Sequence, residues 1–428
     1  MVNAGTAVAV EQGRLALESL RFGCVRLMEI AASVLVRTTP TERKLELSKQ
    51  IWALAQCADL LGKRLPGLRS HEDATASTPE YVAFTDALCS LRNPELEYVA
   101  LTHLAYPDLR DAVLAHHARV PGAADELTVA CLDQVLERLD AVPTARQERP
   151  AGLGTLGDLL ARSGGVVGEN PAPPPRRRTA LPDIPNRPGR DASLREVGPG
   201  DTWVDGSRGS FLHESVFRVE LAAAEICAAL IAHHPDAPWG LRYDLAKQVR
   251  DEARHFELFA ERMRELGVVE GQFPILFDVW DKFALGRTLP ERLIIEQRLG
   301  EGTALDSAVK AFRVLREEGD FKTLMLFDYI VADEITHVGN GNRWLRALVG
   351  SDDELHRLEK DVRAMLADHD MAVAGKRPNV GDRVLAGFTD QEIAELQRTW
   401  ENERGLARSQ MADARREANG SASSTAET

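Results

Sequence analysis

Apolar residues recur every three or four positions through most of the chain, and few stretches alternate with a period of two. That spacing is the mark of helices that bury one face, so the pattern predicts an all-α protein. Four predicted helices matter most. On 210–234 the buried stripe reads Leu212, Val216, Val219, Ala223, Cys227, Leu230. On 244–266 it reads Leu245, Val249, Phe256, Phe259, Met263, Leu266. On 288–300 it is Leu289 and Leu293, and on 324–345 it is Phe327, Val331, Val338, Leu345.

Each stripe admits one acid. Glu220, Glu252, Glu296 and Glu334 stand on core-facing positions of the four helices in turn. A glutamate there is costly unless it is paired or bound to a cation. His255 and His337 follow two of these glutamates at i+3, so they project from the same face. The units read Asp251-Glu252-Ala253-Arg254-His255 and Asp333-Glu334-Ile335-Thr336-His337.

One Glu from each of two helices, with Glu-x-x-His from two others, is the ligand set of a carboxylate-bridged di-iron or di-manganese four-helix bundle. The residue types suit that chemistry. Carboxylates neutralise and bridge two divalent ions, and one imidazole per ion completes a mixed oxygen and nitrogen sphere. Positions left open admit O2. The aspartate before each glutamate can accept from a ligand histidine. Glu301 and Glu291 compete with Glu296, which best continues its stripe; Glu225 and His213 lie near Glu220. His213 either lines the pocket or serves as a cap or surface residue. Tyr329, five residues before Glu334, faces either the site or the core, and core packing is the favoured expectation.

The helical pattern breaks at residues 143–207, where eight of the 21 prolines fall between 171 and 199 and Arg176-Arg177-Arg178 follows a proline run. This reads as an extended linker. A second irregular stretch, 371–388, ends at Thr389-x-x-Glu392, a capping box that starts a last helix. The tail 418–428 reads as disordered. The expected organisation is therefore a helical domain over 1–142, the linker over 143–207, a metal-binding bundle over 208–370, an extension with a helix over 371–417, and the tail.

The two sides of the linker look related. Lys49-Gln50-Ile51 aligns with Lys247-Gln248-Val249, which places Leu54 opposite Glu252, Cys57 opposite His255 and Phe22 opposite Glu220. The N-terminal half thus reads as a second, degenerate bundle without metal ligands, suited to packing, homodimer formation or covering the other half.

Composition narrows the function. With 52 Lys and Arg against 66 Asp and Glu, the net charge of −14 disfavours nucleic acid as a partner. The most apolar stretch, Ala222–Ala232, is too short to span a membrane and contains Glu225. No secretory signal is visible, and five cysteines with no CxxC pair read as reduced thiols. A cytoplasmic location is expected.

At these residues the sequence resembles the ferritin-like superfamily. Residues about 170–400 resemble a bacterial family of ferritin-like proteins catalogued as a domain of unknown function. The resemblance rests on the Pro- and Arg-rich lead-in, His213 through Glu220-Leu221, Asp251 through Phe256, Glu265-Leu266-Gly267, and Asp333 through Val338. Gly341-Asn342-Arg343-Trp344, Pro378-Asn379-Val380 and Ala386-Gly387-Phe388 extend it. It implies a ferritin-like four-helix bundle holding two Fe ions, or Mn, with O2 as co-substrate. The form around Arg254 is similar to hydroxylase and desaturase motifs. The expected activity is therefore oxidation of a small-molecule substrate (hydroxylation, N-oxygenation or desaturation) with an external electron donor. Rival readings are a ferroxidase or iron-storage protein, a tRNA-modifying hydroxylase, and a helical scaffold with a structural metal.

Overall fold

The computed structural model describes residues 10–145, 152–175, 181–198, 200–373 and 375–404. Arg176–Arg178 and the tail 418–428 lie outside the described residues. Among the described residues the chain is all-α, with isolated β-bridges at Ser77–Ala172 and Glu196–Ile275 and no longer strand. No described helix is long and apolar enough to cross a membrane. The chain divides into two compact units, Met1–Asp281 and Lys282–Thr428.

The first unit opens with two long helices, α1 (Val10–Arg37) and α2 (Thr41–Arg64), packed along each other. After α3 (Pro79–Cys89) comes α4 (Pro94–Ala100), which runs through a π-helical segment, Leu101–Ala105, into α5 (Tyr106–His117). The next helix, α6 (Glu126–Leu139), packs on α2 and α5. Phe22, Leu54, Cys57 and Leu101 are all buried in the core of this N-terminal bundle, which also buries charged groups such as Arg26 and Glu29. All five cysteines are buried and free of disulfides.

The segment expected as an extended linker is docked instead. It contains a helix, α7 (Gly154–Ser163), that packs on α3, and it buries Leu153, Leu156 and Val166. Gly189 donates its N–H to the Val36 carbonyl at 2.9 Å. A Cβ at Gly189 would lie 2.3 Å from the Thr38 carbonyl oxygen, so only glycine permits this approach.

Beyond it, α8 (Arg208–Glu214), the π-helical segment Ser215–Glu220 and α9 (Leu221–His233) run on as one rod. It pairs with α10 (Trp239–Glu265). This hairpin packs on α1 and α2: α9 meets α1 and α10 meets α2. Two buried ion pairs cross the contact. Lys44 on α2 lies 2.9 Å from Glu225 on α9, and Arg242 on α10 bonds Glu29 on α1. The division between the units consequently falls inside the stretch 208–370 that the sequence reads as one bundle, because α9 and α10 bury their backs against the N-terminal helices.

The short α11 (Asp278–Leu285) leads into the second unit. There Thr288 and Glu291 form a capping box that starts α12 (Leu289–Leu293). It continues through a π-helical segment, Ile294–Glu301, into α13 (Gly302–Glu317). The long α14 (Phe321–Val349) starts at the Asp320 cap and ends at Gly350, whose φ of 94° suits glycine. It packs against α13 and the π segment. Two more helices follow, α15 (Asp352–Asp368) and α16 (Val380–Leu385), the latter falling within 371–388, which the sequence leaves irregular. The Thr389–Glu392 capping box forms, and residues 390–404 are helical. Leu305, Ala308, Val331, Val338, Ala386, Phe388 and Ile393 make the unit's core.

Candidate metal centre

The first unit brings Glu220, Glu252 and His255 together. Their ligand atoms lie within 4.8 Å of one another, and all three side chains are buried. His255 Nδ1 is 3.1 Å from Glu252 Oε2 and 3.3 Å from Glu220 Oε2. Helical spacing alone sets the first distance, since residues three apart share a face. The second comes from the pairing of α10 with the neighbouring rod. Gln248, one turn before Glu252, donates to its Oε1 at 3.0 Å. Sequence reasoning missed Gln248; its signal is a buried amide four residues from a buried acid.

The second unit repeats the arrangement. His337 Nδ1 lies 2.9 Å from Glu334 Oε2 on the buried face of α14. Glu301 completes this cluster, with ligand atoms of the three residues within 4.8 Å. Glu296, the residue preferred from the stripe, is buried on the same π segment but is not part of that grouping. Glu291 is excluded as a ligand because its carboxylate closes the α12 capping box.

Both single-glutamate rods carry a π-helical segment that ends at an acid, Glu220 in one and Glu301 in the other. A π turn inserts an extra residue, re-aims the side chains beyond it, and is found disproportionately at functional sites. The α3.6 pattern cannot register that insertion, which is why the stripe pointed to Glu296.

The remaining residues have other roles. Asp251 is bonded to Lys247 and Arg254. Glu225 belongs to the ion pair with Lys44 and also bonds Arg190. His213 is neither a cap nor a surface residue. It is buried against Phe217 and Phe273, with ring centroids at 4.8 and 5.5 Å, and burial lowers its pKa to about 4. Tyr329, assigned to the core, is 67% exposed. Five residues before Glu334 places it roughly 140° around the helix at 100° per residue, on the opposite side from the ligand.

The donor set within each unit is two carboxylates and one imidazole. Hard oxygens with one nitrogen suit iron or manganese and fit poorly with a thiolate-favouring ion. Crowding buried carboxylates this closely is unfavourable without positive charge nearby, and a divalent cation supplies it. The residues therefore fit a metal.

An all-helical chain with two buried Glu-x-x-His clusters is the class that fold and site define. The chain belongs to the family described as "Protein of unknown function (DUF455)", whose model matches residues 162–394. That match holds both clusters. A protein from Haemophilus influenzae described as uncharacterized is 28% identical over 151 residues, covering 35% of this chain. The match spans about half of that relative's length, 52%. No solved structure matches.

Proposed function

We propose that this chain is a cytoplasmic ferritin-like oxidoreductase that binds two iron ions, or manganese, and uses O2 to oxidise a small organic molecule. One ion would be held by Glu220, Glu252 and His255, the other by Glu334, His337 and a carboxylate of the Ile294–Glu301 segment. The observation that carries this reading is the recurrence of a buried Glu-x-x-His pair on α10 and on α14, each joined by a glutamate that ends a π-helical segment. Two such clusters in one chain are the ligand inventory of a carboxylate-bridged pair.

Bound reduced iron would supply the electrons for O2 reduction. The chain supplies the rest. The imidazoles bind only when neutral at Nδ1, so the adjacent carboxylates must share their charge with the ion rather than with an imidazolium. Gln248 orients Glu252 through its amide. Phe217 and Phe256, buried and packed edge to face at 5.4 Å, are close in sequence to Glu220 and His255 and would help to keep water from a bound ion.

The test is anaerobic loading with Fe(II), followed by metal analysis, O2 uptake and EPR. Two irons per chain, O2 consumption and an EPR-silent coupled ferric pair support the proposal. Full iron retention in both Glu252→Ala and Glu334→Ala, or an isolated high-spin ferric signal, overturns it. Iron oxidation that leaves every organic substrate untouched would assign the chain to iron handling instead.

A further inference from the structure

We infer that the second unit carries a binding cavity for a phosphorylated small organic molecule, distinct from the metal clusters and independent of the function proposed for them. The cavity has a volume of about 460 Å³, and none of its lining residues is a glutamate or histidine of those clusters. That volume far exceeds a bare phosphate and lies in the range of small-ligand sites, roughly 300–1,000 Å³.

Its charge runs against that of the chain. Arg298, Lys360, Arg363, Lys376, Arg383 and Arg398 line it, against four acids, in a protein whose net charge is −14. The acids are already committed. Asp306 accepts from Arg383 at 2.7 Å and from the Asn379 N–H at 2.8 Å. Glu359 accepts from Arg298 and Arg363, both at 2.8 Å. Glu392 accepts from Arg298 at 2.8 Å and from Arg346 at 2.9 Å, and Glu395 lies 3.2 Å from His356. Arg398 also lies 3.8 Å from Glu395, and Lys376 donates to Ser307, yet six cations against four acids leave the lining with a positive excess. Arg383 is 2% exposed, and its Nη1 has no acceptor among the described residues. A buried guanidinium N–H without an acceptor is costly, and an anion removes that cost.

The donors come from three different segments: α15 with Lys360, the stretch before and within α16 with Lys376 and Arg383, and the last helix with Arg398. Donors converging from several directions suit a tetrahedral phosphate; a planar carboxylate is matched by one guanidinium fork. Part of the rest of the wall is apolar. Phe388 is held with the guanidinium carbons of Arg298 and Arg383 each 4.6 Å from its ring centroid, and Leu396 and Val373 complete the surface for a ligand's carbon body.

Calorimetric titration of the full chain with phenyl phosphate, inorganic phosphate, succinate and a short single-stranded RNA, at fixed ionic strength, tests the assignment. Phenyl phosphate should bind saturably and more tightly than inorganic phosphate. The exposed pair Lys360→Glu with Arg398→Glu should weaken it about tenfold or more, and Arg383→Gln should weaken it further if that variant folds. Glu252→Ala, which targets the metal site alone, should bind phenyl phosphate as the parent does. No saturable binding of phenyl phosphate, unchanged affinity in the double variant, or binding of succinate or RNA alone overturns the inference.

Discussion

Gly341 on α14 leaves no room for a side chain beside Gln297: a Cβ there would lie 2.3 Å from the Gln297 Cβ. The atom it meets is fixed to the backbone of the π segment and cannot swing aside. Gly341→Ala must therefore push α14 and the segment bearing Glu296 and Glu301 apart. Overpacking of this kind costs roughly 1–3 kcal/mol. The expected outcome is a lower melting temperature together with reduced retention of iron or manganese. Gly339→Ala is the control, since its nearest neighbour is Ala386 at 3.8 Å. Equal metal retention in both variants would refute the steric account.

Glu301 and Glu296 can be separated by the same measurement. Glu301 shares a cluster with Glu334 and His337, whereas Glu296 does not. Glu301→Gln is expected to lower metal content per chain more than Glu296→Gln, as read by elemental analysis after desalting. The reverse order would return the role to the residue that the helical stripe favoured.

Much of this arrangement was legible in the sequence, for a physical reason. A three-residue spacing on a helix fixes which side chains meet, so Glu252 with His255 and Glu334 with His337 could be paired without a structure. The helices and the buried acids on their stripes follow from the same periodicity. What a 3.6-residue period cannot encode is a π insertion, so the stripe alone could not single out Glu301, the glutamate that clusters with Glu334 and His337, from Glu296. Tyr329 stands in solvent because its position on α14 falls on neither the ligand face nor the packed face, and an aromatic residue in a helical pattern does not by itself reveal that. The buried Lys44–Glu225 and Arg242–Glu29 pairs join residues remote in sequence, and no local pattern announces them. They also explain why the units divide where they do, since they tie α9 and α10 to α1 and α2.

That contact yields a stability prediction. Lys44 is 2% exposed, and burial pushes its ammonium well below the usual lysine pKa. Its Nζ donates to the Leu35 carbonyl at 2.7 Å and lies 2.9 Å from Glu225, which also bonds Arg190. Lys44→Ala removes one partner and leaves a buried carboxylate short of charge. Breaking such a pair costs about 3–5 kcal/mol. Arg190 remains, so the lower end is expected in chemical denaturation. A loss below roughly 1 kcal/mol, the scale of an exposed pair, would show that the site is solvated.

The final prediction concerns acid. His213 is 1% exposed, sits among aromatic rings, and has no hydrogen-bond partner on either ring nitrogen among the described residues. Burial lowers its pKa from 6.5 to about 4. Between those values the unfolded chain binds a proton that the native chain does not, so stability falls as pH drops from about 6.5 to about 4. His116 is lowered to about 4 by burial as well and acts in the same direction. Asp108 is raised by burial to about 6, holds its proton in the native state, and opposes them between about 3.8 and 6. A single substitution isolates the first term. His213→Phe keeps the aromatic packing and abolishes the titration, so its stability relative to the parent should rise by roughly 1–2 kcal/mol as pH falls from 6.5 to 4. His116 and Asp108 are common to both proteins and cancel in the difference. Denaturant melts of the two proteins across this range provide the check, and a difference that stays constant with pH would mean that His213 takes up its proton as readily in the folded chain as in the unfolded one.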